Sequence, residues 1–238
     1  MKTYGTIMGL LIAFFAWANP IKAQEMETLS KRQEAIVPIA SMTAKGDTKK
    51  LHQALVEGLE AGLTVSEIKE VLTQLYAYAG FPRSLNALTC FMQVLEDRKV
   101  KGIIDYDGDS NSFSFKAKSY ETGSKTHARL TGSTAKGKVM QFAPAIDYYL
   151  KAHLFGDIFS RNNLQETDRE IATLSALASL EETESQIKAH IRIASNAGVR
   201  DSMIWQIPNI LKDKVGSKEA WRAKKAISEI YEQKLTCG

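Results

Sequence analysis

The chain has 238 residues and a mass of 26.4 kDa, long enough for one large domain or two small ones with sizeable cores. A hydrophobic content of 44% and a charged content of 24% exclude an intrinsically disordered or collagen-like chain. Two cysteines exclude a disulfide-dense scaffold and an all-cysteine zinc site, and a net charge of +4 is too small to argue for nucleic acid.

The chain opens with Lys2 and an uncharged run from Ile7 to Ala18 that ends at Asn19-Pro20. The run is too short to cross a bilayer as a helix, which needs about 20 residues. A basic start, a short apolar stretch and the small residue Ala23 read as a secretory signal covering residues 1–23. The mature protein is then expected in an exported compartment, most simply the periplasm, with no membrane attachment after cleavage.

Residues 24–98 read as a helical unit. Leu51, Leu55 and Leu59 recur every four residues and give one apolar stripe. Gly62 supplies a left-handed stop, and Thr64-Val65-Ser66-Glu67 has the spacing of a capping box that starts the next helix. Gly80-Phe81-Pro82 breaks that helix, and proline suits the first turn of the one after it. Residues 99–141 are polar, rich in Gly, Ser and Lys, and without helical period; Ser112-Phe-Ser-Phe-Lys alternates like a short strand. This segment reads as an extended arm or long loop. Its lysines make a basic patch best explained as a solvated charged loop.

Helical pattern returns at Phe142, and residues 142–238 repeat the first unit. At an offset of 136 residues, Ala61-Gly62-Leu63 with Ser66 and Ile68 falls on Ala197-Gly198-Val199 with Ser202 and Ile204. The same offset pairs Glu34 with Glu170, Leu75 with Leu211, Gly80 with Gly216 and Ala87 with Ala223. The period is far longer than that of solenoid repeats, so the fold class is all-α, with two tandem copies joined by a polar arm.

Four histidines are candidates for chemistry. His52 neighbours Lys49 and Lys50, His127 lies in the arm, and His153 follows Lys151. His190 differs, because Ile187 and Ala194 place it on or beside an apolar stripe, where partial desolvation suits proton transfer. Glu170 opens the preceding helix, and antiparallel packing would bring its carboxyl group toward that imidazole to orient it. The alternative is a satisfied core histidine and a glutamate favoured by the helix dipole.

The Tyr76-Ala-Tyr-Ala-Gly-Phe-Pro82 block, together with Glu170, the Gln186-Ile-Lys-Ala-His190 segment and the paired Ala-Gly turns, resembles the carboxymuconolactone decarboxylase family. That family includes the AhpD-type alkylhydroperoxidases. The resemblance implies an all-helical fold, a small-molecule substrate and a homo-oligomer; the small net charge already speaks against nucleic acid as a partner. Its peroxidase branch implies a Cys-x-x-Cys-x-x-x-His helix. Here Thr183 and Gln186 stand at the two cysteine positions, and Asp47, Lys50 and Ala54 occupy the matching places in the first copy. Without paired thiols the usual peroxide chemistry lacks its nucleophile.

The decarboxylase branch implies cofactor-free, metal-free acid/base chemistry on a small lactone or keto acid. His190 would serve as proton donor, Glu170 as its orienter, Arg83 or Arg192 as an anchor for the acid, and Tyr78 as a pocket wall. Two alternatives stand beside it: a thiol-dependent antioxidant using Cys90, and a binding or scaffold protein without catalysis.

Overall fold

The computed structural model describes residues 27–109, 118–135 and 137–236. The targeting segment, the strand-like 112–116 stretch and Cys237 lie outside the described residues.

Every regular element among these residues is helical. The first repeat comprises α1 (Lys31–Lys45), α2 (Thr48–Glu60), α3 (Val65–Gln74), the single turn α4 (Tyr76–Ala79) and α5 (Phe81–Val100). The arm, residues 99–141, contains α6 (Ser119–Thr131) and most of α7 (Lys138–Phe142); α8 (Pro144–Tyr149), in the segment read as the start of the second repeat, runs on into a π-helical stretch, Leu150–Ile158, that packs with the arm. The second repeat comprises α9 (Glu166–Ser179), α10 (Glu184–Ala197), α11 (Asp201–Ile204), α12 (Ile207–Lys214) and α13 (Ser217–Thr236). Moved by 136 residues, the starts of α2, α3 and α5 fall on those of α10, α11 and α13, and α1 falls within one residue of α9. The one break in the correspondence is local. Pro208 cannot donate the N–H that would continue α11, so the long α3 is matched by two short helices.

Local chemistry accounts for the boundaries. Thr64 and Glu67 form the expected capping box at the start of α3, and Ser30 with Gln33 forms another at α1. Gly62 and Gly198 adopt φ of 90° and 102°, where any side chain would be strained, and so end the second helix of each repeat.

The two repeats share one core. The helices α1 and α9 lie side by side in the same direction: Gln33 reaches Asp168 near their starts, and the Ser41 hydroxyl donates to the Ser175 carbonyl further along at 3.1 Å. Nine consecutive residues of α1 and twelve of α9 are buried, so this pair is the centre of the molecule. The remaining helices of both repeats pack around it in one continuous apolar cluster. No helix among the described residues is long and apolar enough to cross a membrane.

The arm differs from its expected extended form. Helix α6 lies against the π-helical stretch in the most extensive helix pairing among the described residues. Gly123 and Gly156 permit this approach, since a Cβ on them would stand 1.7 Å from the Lys151 carbonyl oxygen and 2.2 Å from that of Ser119. Gly123, from the run that read as a loop, thus lets two helical backbones touch.

Candidate functional site

The connection between α9 and α10 is only four residues long, so the two helices pack as neighbours. Glu170 lies in the first turns of α9, inside the buried run, and is 0% exposed. His190 lies one turn after Ile187 on the buried face of α10 and is 9% exposed. The result is the expected pair: His190 Nδ1 stands 2.8 Å from Glu170 Oε2. A carboxyl group on Nδ1 fixes the orientation of the ring and leaves Nε2 for a reacting partner.

The third member comes from the other repeat. Tyr78, on α4, sets the edge of its ring against the imidazole, with centroids 5.5 Å apart. Its hydroxyl is buried beside Thr173 yet makes no well-formed hydrogen bond, and Glu170 Oε1 is likewise buried and unpartnered among the described residues. Burial, reinforced by the nearby Glu170 charge, pushes the Tyr78 phenol well above its ordinary range, so it holds its proton at any physiological pH. These two buried oxygens beside the imidazole each keep capacity for a hydrogen bond with a ligand oxygen or a water.

Beneath them lies a network that sequence reasoning missed. Arg169 is 0% exposed and donates to Glu70 at 2.9 Å, to Gln74 at 3.0 Å and to the Arg161 carbonyl at 3.0 Å. Gln74 returns bonds to the Arg169 carbonyl and to Thr173 Oγ1, so the floor of the site is tied to α3 of the first repeat. The adjacency of Arg169 to Glu170 was the only signal for it in the sequence.

The arm covers this side of α10. Leu130 of α6 and Leu154, Phe155, Ile158 and Phe159 of the π-helical segment cluster with Ile193, and Tyr76, Tyr78 and Ala197 pack against them. Ile193 and Ala197 follow His190 by three and seven residues, which is one helix face. Asn196 adds a 2.8 Å bond to the Leu130 carbonyl.

Other predicted positions fall elsewhere. Arg83 donates to the Lys45 carbonyl at the far end of α1. Because α1 and α9 run in parallel, that end lies eleven residues beyond the level of Glu170, about 16 Å along the axis. There Arg83 caps α1. Arg192 is exposed and bonds Gln233 on α13. Cys90 is half-buried, its thiol directed to the Thr48 carbonyl at 3.5 Å, and burial raises its pKa. That environment suppresses the thiolate a peroxidase needs. Thr183 and Gln186 occupy the cysteine positions on the His190 helix; the Thr183 hydroxyl donates to the Leu177 carbonyl. Among the other histidines, His52 pairs with Asp97, and His153 with Asp157. Among the described residues no three His, Cys, Asp or Glu side chains converge in metal-binding geometry.

Comparison with known proteins agrees with the duplicated fold. A curated protein of Methanocaldococcus jannaschii, described only as uncharacterized, is 29% identical over 70 residues. The aligned part is 29% of this chain and 65% of that protein, so the match spans a little less than two thirds of the relative's length. The profile of the carboxymuconolactone decarboxylase family matches twice, over residues 11–91 and 144–229. The first match begins inside the segment read as a targeting signal and the second covers α9 to α12 whole. With both repeats matched over more than half its length, the chain belongs to the carboxymuconolactone decarboxylase family.

Proposed function

We propose that the protein is a cofactor-free acid/base enzyme of the decarboxylase type, acting on a small lactone acid or keto acid at His190. The observation that carries this reading is the buried 2.8 Å pair between His190 Nδ1 and Glu170, with Tyr78 against its ring. In such a reaction the C–C bond to the substrate carboxylate breaks and CO2 leaves. The bonding electrons pass into the conjugated carbonyl. The Nε2–H of the protonated His190 then supplies the proton to the carbon that lost CO2, and solvent restores the imidazolium.

Glu170 holds the ring in position through the contact to its Nδ1. The Tyr78 hydroxyl, which keeps its proton, is the donor suited to the enolate oxygen that forms. The arm packs over Ile193 and Ala197, on the same face of α10 as the ring. A homo-oligomer in an exported compartment belongs to the same reading, supported by the family resemblance and the N-terminal run.

The test is a screen of unsaturated lactone acids and 3-keto acids for CO2 release, with wild-type protein and His190→Ala. Loss of a general acid lowers turnover about 10²–10⁴-fold. Equal turnover by both proteins removes His190 from the mechanism. Absence of turnover on every substrate, with the acids still bound, moves the assignment to a binding protein.

A further inference from the structure

The 136-residue correspondence has a consequence for the opposite side of the molecule. Glu170, His190 and Tyr78 correspond to Glu34, Ala54 and Lys214. These three residues also converge, since all of them line one open cavity of about 390 Å³. Ala35, Pro38, Ala61 and Ile210 supply its apolar wall. In the second repeat the equivalent place is filled by the imidazole ring and roofed by the arm. In the first repeat the ring is cut back to a methyl group, and the carboxylate that would face it remains.

We infer that this cavity is a second ligand site, one that takes a planar organic cation of the imidazolium or amidinium class. Shape and chemistry both argue for it. Where the second repeat sets a flat five-membered ring beside Glu170, the first leaves an open cavity beside Glu34. Glu34 gives one oxygen to Lys31 at 2.8 Å and carries a second. The charge balance also favours a cation. Three carboxylates, Glu34, Glu57 and Asp213, face two ammonium groups, Lys31 and Lys214. Lys31 is held by Glu34, and Lys214 by Glu57 at 3.2 Å, so Asp213 is the acid that no ion pair among the described residues neutralises. A planar cation would lay its face on Ala54 and Ile210 and point its N–H groups at Glu34.

The experiment is calorimetric titration of the full chain with benzamidine at neutral pH, with benzamide as its uncharged counterpart. Binding at one site per chain is expected, about tenfold tighter for benzamidine than for benzamide. Glu34→Gln, a partly exposed position that leaves the core intact, should weaken benzamidine about tenfold. Ala54→His, which rebuilds the ring within the chain, should abolish binding. His190→Ala should leave it unchanged, which separates this site from the one proposed for catalysis. Equal affinity for benzamide, binding that survives Glu34→Gln, or binding lost only in His190→Ala would each overturn the assignment.

Discussion

Tyr78 carries a hydroxyl that folding has taken out of water without giving it a well-formed bond in return. Leaving such a group buried costs about 1–3 kcal/mol, which a protein retains only where something else uses the group. Tyr78→Phe therefore separates two roles. Thermal unfolding should show a melting temperature equal to or above that of the wild type, because an unsatisfied oxygen has been removed. Turnover on any substrate found for the enzyme should fall about 10²-fold, the usual loss for one donor to a developing oxyanion. A drop in melting temperature of several degrees would mean that the hydroxyl is bonded in solution, and its place in the mechanism would go. This residue also marks a limit of reading the chain alone. The spacing of Ile187, His190 and Ala194 pointed to His190, and Glu170 followed from the short connection. Tyr78 was visible only as part of a motif, because its contact with the imidazole joins residues more than a hundred positions apart.

At the scale of elements, the arm is where the sequence was least legible. Helix α6 buries only Gly123 and Leu130, so it has no apolar stripe of the kind that announces a helix. What holds it is the close approach at Gly123 and Gly156 and the edge-on contact of His127 with Phe155 at 5.1 Å. The repeats were legible because their stops and caps are local: Gly62, Gly198 and the Thr64–Glu67 box each act within a few residues. His127 makes the arm sensitive to acid. Burial first, and then the charge of Lys151, depress its pKa, while Asp147 acts weakly the other way. With its folded pKa below the free value of about 6.5, the unfolded arm takes up the proton first. Stability contributed here is present above that pH and is lost as the pH falls below it. Hydrogen exchange of the α6 amides should accelerate between pH 7.5 and 5.5 in the wild type, relative to α1. In His127→Gln that difference should largely vanish. Unchanged α6 protection across the range would show that His127 does not govern the docking of the arm.

For the molecule as a whole, the duplication has been kept in backbone and abandoned in charge. The Glu70 and Arg169 that join α3 to α9 have Gln206 and Gln33 as their counterparts at the 136-residue offset. One half of the core is thus crossed by a buried ion network, where the other carries neutral amides at the matching positions. Glu70, 1% exposed, accepts bonds from Arg161, Asn163 and Arg169. Removing it leaves the Arg169 guanidinium buried with only neutral partners, and burial already pulls that group below its ordinary pKa. Breaking a buried pair in this way costs about 3–5 kcal/mol, because the desolvated charge remains after its partner has gone. Gln206 accepts the Leu29 main-chain N–H and donates to the Ser202 carbonyl in a part-buried setting, and losing a neutral bond of this kind costs about 1 kcal/mol. Urea unfolding of Glu70→Ala and Gln206→Ala, at positions related by the repeat, should therefore give very unequal losses. The same network anchors Gln74 and Thr173 under Tyr78, so Glu70→Ala should also loosen the site, raising KM along with the fall in stability. Equal and small losses from the two substitutions would place the stability of the molecule in the shared α1–α9 core and leave the ion network without a structural role.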